Sequence, residues 1–154
     1  MIKTYNMKQE YTYWLALANA ENIYTRRKNE ILAKIHEDNS SLAHFFTEEN
    51  NWKSSFDLSQ DEIQSLLQEK EKLNNYSFIV EDLLEQGYQL IPIFSSDYPK
   101  TLKRNLKFSS PILLYAYGNI ELLNKESVAI VGSRNANDTS INFTDNIASL
   151  SVSD

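Results

Sequence analysis

The sequence contains no cysteine, which removes disulfides, thiolate chemistry and cysteine metal sites together. It has two histidines, His36 and His44, eight residues apart, so neither a histidine metal site nor a Ser/His/acid triad is expected. Glycine and proline number three each, within a composition ordinary for a soluble protein of 154 residues. Long hydrophobic runs are missing too. Runs such as Pro111–Ala116 and Val128–Val131 fall far short of the ~18 residues a membrane span needs. The opening stretch MIKTYNMKQEYTYW has no apolar h-region and no small-residue cleavage site, so a secretory signal is not expected and the location implied is cytoplasmic.

What is present is charge, unevenly spread. The formal net charge of −6 argues against a general polyanion binder. Residues 1–87 hold 9 Lys/Arg against 15 Asp/Glu, whereas residues 88–154 hold 6 of each. All of the net acidity lies in the first segment, which points to two domains, 1–87 and 88–154, with different electrostatic roles.

The first segment reads as helical. Tyr11 to His36 favours helix, with an imperfect apolar stripe at Ile23, Arg27, Ile31, Ala33 and Ile35. Arg26-Arg27-Lys28 is a short basic run that reads as a solvated face, with a phosphate backbone as the other possible contact. Asn39-Ser-Ser offers an N-cap ahead of Leu42, Phe45 and Phe46. Ser59 and Glu62 form an S-x-x-E capping box before Ile63, Leu66, Leu67, Lys70 and Leu73. A further helix is expected from near Ser77, ending at Gly87, whose freedom suits a left-handed C′ position.

From Tyr88 the pattern changes. YQLIPIF reads as a strand with Pro92 marking an edge or an end. The segment TLKRNLKF reads as a short helix with Lys100, Lys103, Arg104 and Lys107 on one basic face, a surface able to track phosphates. PILLYAY supplies a second strand, ended by Gly118-Asn119. Val128–Val131, continuously apolar, is expected as a third strand covered on both faces, as in a parallel sheet. The turn after it, Gly132-Ser133-Arg134, is the expected phosphate pocket. Glycine allows close approach, a serine hydroxyl bonds a phosphate oxygen, and arginine adds a charged fork. It is not a G-x-G-x-x-G turn, so no dinucleotide cofactor is expected.

Asp97-Tyr98-Pro99-x-x-Leu102, then Ser110-Pro111 leading to Leu114-Tyr115-x-x-Gly118-Asn119, then Val128-Ala129-Ile130-Val131-Gly132-Ser133-Arg134, resembles the DNA-processing protein A (DprA, also called Smf) family. The resemblance implies a small helical N-terminal domain followed by an extended Rossmann-like, doubly wound domain, an α+β or α/β chain overall. It implies single-stranded DNA binding without catalysis, homo-oligomers, and loading of a RecA-type recombinase in natural transformation. Carried over by motif, Gly132, Ser133 and Arg134 lie in the phosphate pocket, while Tyr98, Pro99, Pro111, Tyr115 and Gly118 are architectural. The sequence stops at Asp154, ahead of the S-G-x-A-x-G-[IV]-D segment of that family. The reading therefore expects an incomplete Rossmann-like domain with weakened or lost DNA affinity. The alternative is a helical protein-interaction module docking on a full-length relative or another partner.

Overall fold

Trp14, Leu15, Ala16 and Leu17 are buried in succession. A helix covered on every side is a central one, since an amphipathic surface helix buries only one stripe. The computed structural model describes residues 2–152, and this helix, α1 (Ile2–Asn19), packs against three others and a strand. The order continues with α2 (Thr25–Glu37), α3 (Leu42–Thr47), α4 (Asn51–Phe56), α5 (Gln60–Glu71) and α6 (Leu73–Glu85). Then come β1 (Tyr88–Pro92), α7 (Lys100–Leu106), β2 (Leu113–Tyr117) and α8 (Asp138–Val152), with 3-10 turns at Lys107–Ser109 and Ile120–Asn124. The class is α+β, helices with a small sheet.

The helical stretch expected from Tyr11 to His36 is two helices, broken between Asn19 and Thr25 without a glycine or proline. Ala20 and Ile23, inside the break, are buried in the core. Helix propensity among such residues differs by fractions of a kcal/mol, while burying an isoleucine contributes about 1.5–3 kcal/mol. Tertiary burial wins.

Downstream, Ser41 rather than Asn39 caps α3, its hydroxyl accepting from the His44 N–H at 3.1 Å, while Asn39 sits at φ 50°. Phe45, Phe46, Trp52 and Phe56 form an aromatic cluster in which the buried Trp52 indole N–H donates to the Phe45 carbonyl at 2.8 Å. The capping box forms as expected: the Ser59 N–H donates to Glu62 Oε2 at 2.8 Å and the Glu62 N–H to Ser59 Oγ at 3.3 Å. Helix α6 begins at Leu73, earlier than the expected Ser77, and Gly87 follows its end at φ +86°.

The basic run is neither a solvated face nor a free phosphate contact. Arg27 Nη2 donates to the carbonyls of Phe56 and Asp57 at 2.7 and 2.9 Å, and its Nε to Glu62 Oε1 at 3.2 Å. Lys28 is buried with Nζ on the Ala18 carbonyl at 2.6 Å. Desolvation lowers the Lys28 ammonium, against the pull of Glu69. Of the three, only Arg26 stays out in solvent, paired with Glu30.

Strands β1 and β2 pair antiparallel in the register Tyr88↔Tyr117 through Pro92↔Leu113. Leu90 and Ile91 bury against the helices, and Pro92 ends the strand as its missing N–H requires. The third strand expected at Val128–Val131 does not form, and no parallel pairing exists among the described residues. An extended segment becomes a strand only when its N–H and C=O groups meet a ladder partner. Here the segment is exposed, Val131 by 92%.

The described residues fall into two compact units, Met1–Asn124 and Lys125–Asp154. The first holds the whole buried core, with both strands packed on the helices. The second is the extended segment, a turn and α8.

Candidate nucleic-acid interface

The D-Y-P motif is an anchored corner. Tyr98 is buried and its hydroxyl donates to the Pro111 carbonyl at 2.7 Å, tying the first motif to the S-P motif that leads into β2. Burial raises the Tyr98 hydroxyl above the ordinary phenol range. Pro99 stands at the N-cap of α7, and Asn124 clamps the corner by accepting from the Lys100 N–H at 3.0 Å. Gly118, at φ +97°, supplies the turn after β2, where an L-side chain would be strained.

The corner aims the basic residues. Lys100 and Arg104 lie exposed on α7, one turn apart. Lys103 is engaged: its Nζ donates to the Ile93 carbonyl at 2.9 Å and lies 5.2 Å from the centre of the Phe94 ring. Lys107 is outside the helix, at φ 50° and ψ −124°. The single face of four cations expected from the spacing is therefore not formed. The cause is Asn29 on α2, whose Nδ2 donates to the carbonyls of Phe108 and Ser110 at 2.9 and 2.8 Å. Those bonds hold the chain in a 3-10 turn where α7 would otherwise have continued.

In the second unit, Gly132, Ser133 and Arg134 are all exposed. The space over Gly132 is open, so its backbone is approachable. Ser133 Oγ accepts from the Asn135 N–H at 3.2 Å, which shapes the turn and leaves the hydroxyl proton free to donate. Asn137 caps α8 by accepting from the Ser140 N–H at 2.9 Å. Beside the turn lies a depression of about 270 Å³, lined by Gly132, Ser133 and Ser140 among others, with Asp145 also on its wall. Asp145 on that wall opposes a phosphate there, and Arg134 is not among the residues that line the depression. The turn and the α7 cations belong to separate units.

Three functional candidates escaped the sequence. Asn29, Phe94 and Phe108 are brought together at one surface of the first unit, where all three line a shallow apolar groove. No local pattern marks Asn29, which acts across 79 and 81 residues of chain. For the phenylalanines a signal existed: both stand directly before Ser-Ser, Phe94 at the end of an apolar segment and Phe108 at the end of the basic one.

Residues 89–153 match the family model described as DNA recombination-mediator protein A. That match spans the motifs from Asp97 to Arg134, so the segment is similar to the family whose resemblance those motifs carry. No curated protein and no solved structure matches the chain. Among the described residues no helix is long and apolar enough to cross a membrane.

Proposed function

We propose that this chain binds single-stranded DNA, without catalysis, in DNA processing and recombination. The observation that carries the reading is the family match over residues 89–153, which spans both the α7 cations and the Gly132-Ser133-Arg134 turn. Arg134 is exposed and permanently charged, with a planar fork suited to two phosphate oxygens. On this reading 127–152 is the opening extended segment, turn and helix of a Rossmann-like module. The partners are single-stranded DNA, a RecA-type recombinase during natural transformation, and further copies of the chain, all in the cytoplasm.

The contact set is small, so the affinity is modest. Arg134 with Lys100, Arg104 and Lys107 neutralises at most four phosphates, which for a single strand sets a slope of log K against log salt no steeper than about −3. Fluorescence anisotropy of a labelled oligonucleotide, titrated at several salt concentrations against the chain and its Arg134→Ala variant, tests the reading. The variant is expected to bind more weakly, with the slope reduced by about 0.7. Equal affinity removes the turn from the interface, and no binding at low salt sinks the proposal.

A further inference from the structure

Phe94 and Phe108 face solvent more than phenylalanines in a packed domain need to, at 45% and 50% exposure. They line one groove of about 300 Å³ whose surface is almost wholly apolar, together with Ala33, Ile93, Lys103 and Lys107. Phe94 is fixed from three sides. It meets Trp14 edge-on at 6.3 Å, His36 at 5.1 Å and the Lys103 ammonium at 5.2 Å. Phe108 is fixed through its backbone, because Asn29 holds its carbonyl and the strained Lys107 precedes it.

Charge identifies the occupant. From Tyr98 to Ile120 the chain carries four Lys/Arg and no Asp/Glu, within a protein of net charge −6. Among the described residues, the ion pairs occupy Lys8, Arg26, Arg27, Lys70 and Lys72, and none involves Lys100, Lys103, Arg104 or Lys107. Aromatic rings held rigid beside cations that no carboxylate neutralises match a polyanion that also presents flat apolar faces. Single-stranded DNA does both: its phosphates seek the cations and its unpaired bases stack on rings.

We propose that the groove between Phe94 and Phe108 is a stacking subsite for one unpaired base of single-stranded DNA, with a neighbouring phosphate on Lys107. The subsite rests on the reading of the chain as a single-stranded DNA binder and lies apart in sequence from the Gly132-Ser133-Arg134 turn.

The test uses the whole chain and an oligothymidylate bearing one 2-aminopurine, whose fluorescence falls when it stacks. Binding is expected to quench the probe. Phe108→Leu keeps an apolar side chain without a ring; it is expected to abolish the quenching and weaken binding by about 5- to 150-fold. Phe108→Trp, which restores a ring face, is expected to restore both. Circular dichroism and urea unfolding of each variant confirm that the half-exposed position leaves the fold intact. Oligonucleotide binding that persists with no quenching and no change in Phe108→Leu overturns the subsite while DNA binding stands. Absence of all binding overturns both readings.

Discussion

The side-chain amide of Asn29 donates to the carbonyl oxygen of Ser110 at 2.8 Å, joining α2 to the approach of β2 across 81 residues of chain. The same nitrogen reaches the Phe108 carbonyl at 2.9 Å, and Asn29 is itself buried. One side chain thus satisfies a carbonyl of the 3-10 turn and that of the residue following it. Asn29→Ala strips both acceptors of their donor in a place with little water. Each such loss costs about 1–3 kcal/mol, so a fall of about 2–6 kcal/mol in unfolding free energy is expected in urea denaturation. Asn29→Asp, the same shape with no donor, is expected to do at least as much damage. A change below about 0.5 kcal/mol would remove the clamp from the account of this turn.

How far the sequence went follows from where each signal lives. The Ser59–Glu62 box, the stop at Gly87 and the strand end at Pro92 are all decided by residues within a few positions of one another, and each was legible. The break between α1 and α2 was not, because Ala20 and Ile23 turn the chain only by being buried against other elements. Val128–Val131 has the composition of a buried strand, but a strand needs a partner and composition does not supply one. Lys107 has helical spacing from Lys100, yet a residue on α2 ends the helix before it. Local chemistry was readable, and long-range bonds were not.

Lys107 stands at φ 50° and ψ −124°, a backbone region that L-residues rarely occupy. Strain of this kind costs on the order of 1–3 kcal/mol, while glycine bears it freely and loses about 0.5–1 kcal/mol to its greater freedom when unfolded. Lys107→Gly is therefore expected to stabilise the protein by about 1 kcal/mol, seen as a higher urea midpoint with an unchanged slope. Lys107→Ala keeps the Cβ and with it the strain, so it gains nothing. A lysine held where glycine would be more stable fits a residue kept for its charge.

Burial pushes the Glu62 carboxyl up, but bonds from the Ser59 N–H and hydroxyl and the adjacent Arg27 guanidinium outweigh it and hold the group below the usual carboxylate range. A carboxyl lowered by folding contributes stability that is fully present above its unfolded pKa. That contribution is lost as the pH falls through the lowered folded value. Glu62→Gln keeps one box acceptor and loses the charge. It is expected to cost about 1 kcal/mol in unfolding free energy near neutral pH. The gap between wild type and variant is expected to close in acid, well below the ordinary carboxyl value of 4.5. A gap that stays constant with pH would assign the effect to shape and not charge.

Stacking and charge make separable demands on a DNA contact, and Phe108 and Lys107 are adjacent residues on which to separate them. A cation that neutralises one phosphate releases counterions, so its removal flattens the dependence of log K on log salt by about 0.7 for a single strand. A ring that only stacks releases none. Lys107→Ala is expected to lower affinity chiefly at low salt and to reduce the slope by about 0.7. Phe108→Leu is expected to lower affinity by the same factor at every salt concentration, leaving the slope as it was. Anisotropy titrations over a range of salt distinguish the two. If Phe108→Leu changed the slope as Lys107→Ala does, the ring would be acting only by holding the lysine in place. If neither variant moved slope or affinity, the contact would have to lie elsewhere, on Arg134 and the open backbone at Gly132.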